Sequence, residues 1–268
     1  MPVQEVSNQK NTREQPGEQE VLVKARNFQK NFGGTPVLKN ISFDLHHKEN
    51  LVVLGKSGSG KSVLIKSMVG LHRPSDGELN VLGYDMMHIS GKELVSLRRK
   101  VGYLFQGGAL YDSMTVEENM RFPLERQLEK PPEDEIQQLV EEGLESVGLK
   151  DTMHKMPSEL SGGMKKRIAL ARTLVLRPKI MLYDEPTTGL DPVTSKEISQ
   201  LLLEMRERYD ITSIVITHDM SSAEMVSDRL FIPKDGTFGT EGTYDELSHS
   251  NEDWIRSFFF FFFFRLKK

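Results

Sequence analysis

The chain has 268 residues, no cysteine and a formal net charge of −4, with 37% hydrophobic and 28% charged residues. Disulfides and thiol chemistry are excluded, and nothing in the charge balance points to nucleic acid as a partner. No window approaches the ~20 apolar residues of a membrane-spanning helix, and Met1–Glu20 lacks the apolar core of a signal peptide, so work at a membrane would go through a partner.

Residues 1–20 are polar and read as a solvated tail. From Val21 the pattern changes to short apolar runs (Val21–Val23, Val37–Leu38, Ile41–Leu45) with a turn at Gly33-Gly34, which predicts a small antiparallel sheet. Phe32, just before the turn, either stacks on an adenine ring or is an ordinary core aromatic. The apolar run Leu51–Leu54 then leads into Gly55-Lys56-Ser57-Gly58-Ser59-Gly60-Lys61-Ser62, which fits the phosphate-cradling pattern G-x-x-x-x-G-K-[ST]. Its glycines let backbone N–H groups approach phosphate oxygens, and the helix expected from about Ser62 to Val69 adds its positive dipole end. Lys61 is placed to reach the β- and γ-phosphates, the Ser62 hydroxyl to ligate Mg²⁺, and Val63 continues the cradle into the helix.

A short strand is expected over Gly77–Gly83, a helix near Lys92–Arg99, and a strand over Val101–Phe105 that ends at Gln106. Between Val116 and Leu176 strand signals vanish. Pro131-Pro132 opens a helix with Ile136, Leu139, Val140, Leu144 and Val147 on one stripe, and a second helix runs from about Gly162 to Leu176. Residues 107–177 thus read as an all-helical insertion in an α/β core of residues 21–106 and 178–250. The core resumes with the strand Ile180–Tyr183 and Asp184-Glu185, a helix over Pro192–Tyr209, and the strand Ile211–Thr217 followed by His218.

Asp184, Glu185 and His218 all fall at strand C-termini, the edge where open parallel sheets bind ligands. Beside a phosphate cradle, Asp184 can hold Mg²⁺ through its water shell, and Glu185 can orient or deprotonate the water attacking the γ-phosphate. His218 could register that phosphate, and Gln106 could reach the metal or the water. Leu160-Ser161-Gly162-Gly163-Met164 is a second glycine-rich helix start. One nucleotide does not need two cradles in one chain, so Ser161, Gly162 and Gly163 are assigned to the nucleotide of a second copy in a head-to-tail dimer.

These motifs in this order resemble the ATP-binding cassette (ABC) ATPases from about Val21 to Leu247. The resemblance implies a P-loop core with a mostly parallel sheet, a small antiparallel β subdomain and an inserted helical subdomain. It implies ATP and Mg²⁺ as cofactors, turnover to ADP and phosphate, Lys61, Gln106, Glu185 and His218 as catalytic residues, and Ser62, Gln106 and Asp184 on the metal. It also implies Phe32 as the adenine-stacking aromatic and Asp191, in Gly189-Leu190-Asp191, as a coupling residue between sites. Asp191 before Pro192 is equally a helix cap. Met164 departs from the family, in which most relatives carry glutamine. Residues Phe105–Val116 and Leu182–Pro192 look like one branch, the Mla/Mce-type ATPases of phospholipid transport between bacterial membranes. That branch implies a permease docked near Leu110, Tyr111 and Met114, an MCE-type lipid-binding protein, and a place at the cytoplasmic face of the inner membrane. Packing within the helical block is the alternative for those three side chains. The competing classes are a transporter subunit for other cargo, a soluble ABC protein acting on DNA or ribosomes, and a regulator without turnover. The interval of about a hundred residues between the two cradles lacks heptads, and Glu185 is present, which disfavours the last two.

Residues 251–268 form an atypical tail with seven consecutive phenylalanines, Phe258–Phe264. The run shows no alternation, so no single face is expected to bury it. Its readings are an aromatic–basic anchor at the membrane or permease, a docking segment for the dimer mate, or a homopolymer error in the gene.

Overall fold

The computed structural model describes residues 20–265 other than 57 and 128, with side chains described as far as Phe260. The expected tail over residues 1–19, Ser57 of the phosphate loop and the basic Lys267-Lys268 lie outside the described residues. Two sheets carry the fold. One is antiparallel, in the order β2 (Thr35–His46), β1 (Val21–Phe32), β4 (Asp76–Val81), β5 (Tyr84–Asp85). The three apolar runs read from the sequence are thus two long strands. They are joined by a turn in which Gly33 and Gly34 both take positive φ (53° and 83°), as a two-residue hairpin turn requires.

The second sheet has six strands in the order β10 (Thr237–Gly242), β9 (Arg229–Lys234), β3 (Asn50–Leu54), β8 (Thr212–Thr217), β7 (Ile180–Asp184), β6 (Val101–Leu104). All are parallel except β10. Strand periodicity divides its side chains between two cores. Val52, Leu54, Leu104, Met181, Tyr183, Val215, Leu230 and Ile232 join the core shared with the helices. Leu51, Val53, Val101, Ile180, Leu182, Ile214, Ile216 and Phe231 join the core under the antiparallel sheet. The buried runs of β3, β7 and β8 are hydrophobic without a polar face because both faces are covered.

Helix α1 (Lys61–Met68) follows β3, and α2 (Gly91–Lys100) precedes β6. The helical block holds α3 (Val116–Glu125), α4 (Glu133–Ser146) and α5 (Gly162–Leu174), with 3-10 turns at Lys150–Thr152 and Pro157–Glu159. The α4 stripe packs as expected, with Ile136, Val140, Leu144 and Val147 buried and Leu139 partly so. Helix α3 went unread in the sequence, although Thr115 and Glu118 form a capping box at its start. Pro123 sits in its last turn. Helix α6 (Pro192–Tyr209) links β7 to β8, α7 (Met220–Val226) links β8 to β9, and α8 (Tyr244–Ser248) and α9 (Asp253–Arg265) end the described chain.

The tail expectation needs correction. Residues 253–265 are helical, and among the side chains described, up to Phe260, Ile255 and Phe259 are 1% and 4% exposed and share a core with Leu247. Helical wrapping places residues four apart on one face even in a run of identical residues, so patterning could not reveal which phenylalanines are covered. Phe260, one residue on, is 62% exposed.

Candidate active site

Parallel pairing sets the site. Leu54 lies opposite Thr217, Asp184 opposite Ile216 and Leu104 opposite Tyr183. The residues that follow β3, β8, β7 and β6 therefore emerge side by side at one sheet edge, across three inter-strand steps of ~4.8 Å. They are Gly55, His218, Glu185 and Phe105-Gln106.

Gly55 is tied to β8 by its N–H to the Thr217 carbonyl (3.2 Å). Gly60 caps α1 with φ of 88°, and a Cβ there would lie 2.8 Å from Leu38 Cδ2, so only glycine fits. Lys61 opens the helix buried. Its Nζ donates to the Gly55 and Lys56 carbonyls (2.6 and 2.9 Å) and lies 3.6 Å from Glu185 Oε1. Burial pushes the Lys61 ammonium below the usual lysine range, opposed by Glu185. Ser62 Oγ donates to Asp184 Oδ1 (2.8 Å). Val63 packs on the core beneath.

Glu185 is 8% exposed and holds φ of 52°, a costly backbone for a residue with a side chain. Its N–H donates to the Ile216 carbonyl (2.9 Å). Its Oε2 accepts from Thr188 Oγ1 (3.2 Å), faces His218 Nδ1 at 2.7 Å, and lies 3.3 Å from the His218 N–H. The structure thus brings Lys61, Glu185 and His218 into one cluster and Ser62 and Asp184 into a second beside it, at the one sheet edge. Two members were missed. The Tyr103 hydroxyl donates to Asp184 Oδ2 (2.8 Å), and burial beside that carboxylate raises the phenol well above its ordinary range. The buried Lys166 ammonium, lowered by desolvation and drawn back by Glu185 and Asp184, donates to the Gln106 carbonyl. A polar-tipped aromatic near a strand end was the only signal for Tyr103, and Lys166 had none beyond its place after the second cradle.

The other expected site residues lie apart from these clusters. Phe32 is 42% exposed, which rules out the core-aromatic reading; His72 meets it edge-on at 5.0 Å and Lys30 Nζ lies 4.7 Å from its ring. Gln106 has an exposed side chain. Ser161 caps α5 by accepting from the Met164 N–H (3.2 Å), and Gly163 packs so closely on α6 that a Cβ would lie 2.7 Å from Thr194 Cγ2. Asp191 caps α6, accepting from the Val193 and Thr194 N–H groups (both 3.0 Å) and the Thr194 hydroxyl (2.6 Å), and these bonds lower its pKa. Loop 107–115, with Tyr111 43% exposed and Leu110 partly buried, is held by the fully buried Asn119. Asn119 Oδ1 accepts from the Tyr111 N–H, and Nδ2 donates to the carbonyls of Tyr111, Met114 and Thr115.

Ser62 and Asp184 offer two hard oxygen donors 2.8 Å apart at the first turn of α1. Among the described residues no cluster of three or more His, Cys, Asp or Glu could cage a metal. The pair fits Mg²⁺, which retains waters and shares phosphate oxygens with the protein. Among the described residues no helix is long and apolar enough to cross a membrane.

A family model for ABC transporters matches residues 38–188. The chain is 40% identical over 238 residues to the Mycobacterium leprae protein described as "Probable ribonucleotide transport ATP-binding protein mkl", covering 89% of this chain and 68% of that one. It is 36% identical over 231 residues to the intermembrane phospholipid transport system ATP-binding protein MlaF of Haemophilus influenzae, covering 86% and 87%. Among solved structures, CbiO1 of Clostridium perfringens, part of the ABC transporter complex CbiONQ, superposes with a TM-score of 0.80 at 33% identity, over 90% of this chain and 94% of that one. The dimeric, post-hydrolysis cassette MJ0796 bound to ADP and Pi gives 0.74 at 32% identity, over 83% and 98%. With the strand-end acids, the phosphate loop and the helical block in this arrangement, the chain belongs to the ABC transporter family, as an ATPase cassette that uses ATP and Mg²⁺.

Proposed function

We propose that the chain is the nucleotide-binding subunit of a phospholipid transporter, closing head-to-tail on ATP with a second copy and driving a membrane permease. The observation that carries the hydrolytic part is the pairing of Ser62–Asp184 beside Lys61–Glu185–His218 at one sheet edge. In this reading residues Gly55, Lys56, Ser57, Gly58, Ser59, Gly60 and Val63 wrap the phosphates of ATP, and Phe32 stacks on its adenine. Lys61 gives its ammonium to the β- and γ-phosphates. Ser62 and Asp184, with Gln106, hold Mg²⁺, which when bound neutralises phosphate charge. Glu185 orients the attacking water as its base, and its bond to His218 Nδ1 leaves Nε2 as the ring atom to meet a γ-phosphate oxygen.

Ser161, Gly162 and Gly163 complete the site of the second copy, and Asp191 lies between the two. The exposed Tyr111, with the part-buried Leu110 and Met114, is the contact offered to the permease. Peripheral docking at the cytoplasmic face of the inner membrane, beside an MCE-type lipid-binding protein, completes the proposal. The lipid cargo is supported by residues 105–116 and 182–192 and by the relative named for phospholipid transport. A ribonucleotide cargo is the second reading, favoured by the name of the mycobacterial relative. The test reconstitutes the chain with the permease encoded beside it in liposomes. ATP-dependent transfer of a fluorescent phospholipid supports the lipid reading. ATP-dependent ribonucleotide uptake without lipid transfer overturns it.

A further inference from the structure

Asp184 is 5% exposed and engages a donor with each carboxylate oxygen. Oδ1 accepts from Ser62 Oγ and Oδ2 from the Tyr103 hydroxyl, both at 2.8 Å. The first donor is itself on the cation side of the site. The second comes from the neighbouring strand β6, where Tyr103 lies opposite Leu182, two residues before the carboxylate. The ring that carries this hydroxyl is held. It leans on Phe105 with centroids 4.3 Å apart at 39°, and its inner edge packs on the core beneath the sheet. Phenylalanine would fill the same space, so packing alone does not call for a phenol there. The nearby Lys166 does not do this work, because its ammonium donates to the Gln106 carbonyl.

We propose that Tyr103 is a positioning residue for the cation site: its hydroxyl sets the plane of the Asp184 carboxylate, so that Oδ1 and Ser62 Oγ face Mg²⁺ together. A strand-end carboxylate with one oxygen free can rotate about its terminal torsion, which is broad and weakly held. Anchoring the far oxygen removes that freedom before the cation arrives. Partners that orient metal ligands in this way commonly change metal affinity by about 10–100-fold when removed. The inference rests on the reading of Ser62 and Asp184 as the Mg²⁺ side of the site.

The test measures ATP affinity of the intact chain by calorimetry, with and without Mg²⁺, in a Glu185→Gln background that blocks turnover. The factor by which Mg²⁺ tightens ATP binding reports the coupling between the two. Tyr103→Phe is expected to leave Mg²⁺-free affinity within about twofold and to cut the Mg²⁺ factor about tenfold. Asp184→Asn is expected to remove most of that factor. If Asp184→Asn removes it and Tyr103→Phe does not, the role of Tyr103 is overturned and the metal reading stands. If Asp184→Asn retains it, the metal reading itself fails. Equal weakening of ATP binding with and without Mg²⁺ in Tyr103→Phe marks a structural contribution only and overturns the proposal.

Discussion

Two helices of this chain begin on glycine-rich segments, and they are built differently. The start of α1 is embedded. A parallel strand leads into it, Gly60 takes a left-handed backbone against Leu38, and Lys61 and Ser62 at once meet Glu185 and Asp184 from the end of β7, two strands away. The start of α5 faces outward. Ser161 caps it with its own side chain, Ser161 and Gly162 are exposed, and its close neighbours are Leu190 and Thr194. Similar chemistry thus appears once as a finished wall with acids and lysine in place, and once as a helix start exposed at Ser161 and Gly162. The first can organise phosphate chemistry within one chain.

The largest expected effect is at the embedded start. Glu185→Gln should lower phosphate release by about 10²–10⁴-fold while ATP binding, read by calorimetry, stays within severalfold. Undiminished turnover would remove Glu185 from the chemistry. Next comes Gly60→Ala, which should cost about 2 kcal/mol of stability in denaturant unfolding, because alanine must adopt positive φ and its Cβ must displace Leu38. The matching change at the outward start, Gly162→Ala, should stay within about 0.5 kcal/mol, since its Cβ meets only Leu190 at 3.5 Å and its φ is ordinary. If the two glycine variants destabilise equally, the embedded–outward distinction is wrong.

Ser161→Ala should cost about 1 kcal/mol through loss of the cap. It should slow steady-state ATPase while leaving ATP binding to dilute protein unchanged, which separates the outward start from the embedded one. A control lies on the antiparallel sheet. The Arg26 guanidinium bonds both oxygens of Asp44 (2.8 and 2.7 Å) and holds its carboxyl below the usual range. A carboxylate with a lowered folded pKa stabilises above its unfolded pKa, and the benefit fades as pH falls through the lowered value. Asp44→Asn should therefore cost about 0.5 kcal/mol near neutral pH, discounted for the part-exposed pair, and converge on the parent protein in acid, as thermal melts across pH can show.

Much of this arrangement was legible beforehand because its signals are local. The Gly55–Ser62 pattern, the buried runs of β3, β7 and β8, and the Asp191-Pro192 cap each depend on a few adjacent residues. Helix α3 was not among the elements read, although the Thr115–Glu118 box that starts it is a local signal. The α9 face was misread because identical residues carry no pattern, and only the helix geometry selects Phe259 for burial.

By itself, then, the chain order determined which segments are strands and helices and which residue types stand at their ends, since propensity, capping and the demands of glycine act over a few positions. Only the tertiary structure decided which ends meet. The order β3-β8-β7-β6 joins segments far apart in the chain and sets Tyr103 against Asp184, 81 residues on, and His218 against Glu185, 33 residues back. Parallel strands acquire neighbours through long crossovers, whose partners are chosen by which faces can be buried together rather than by any nearby residue.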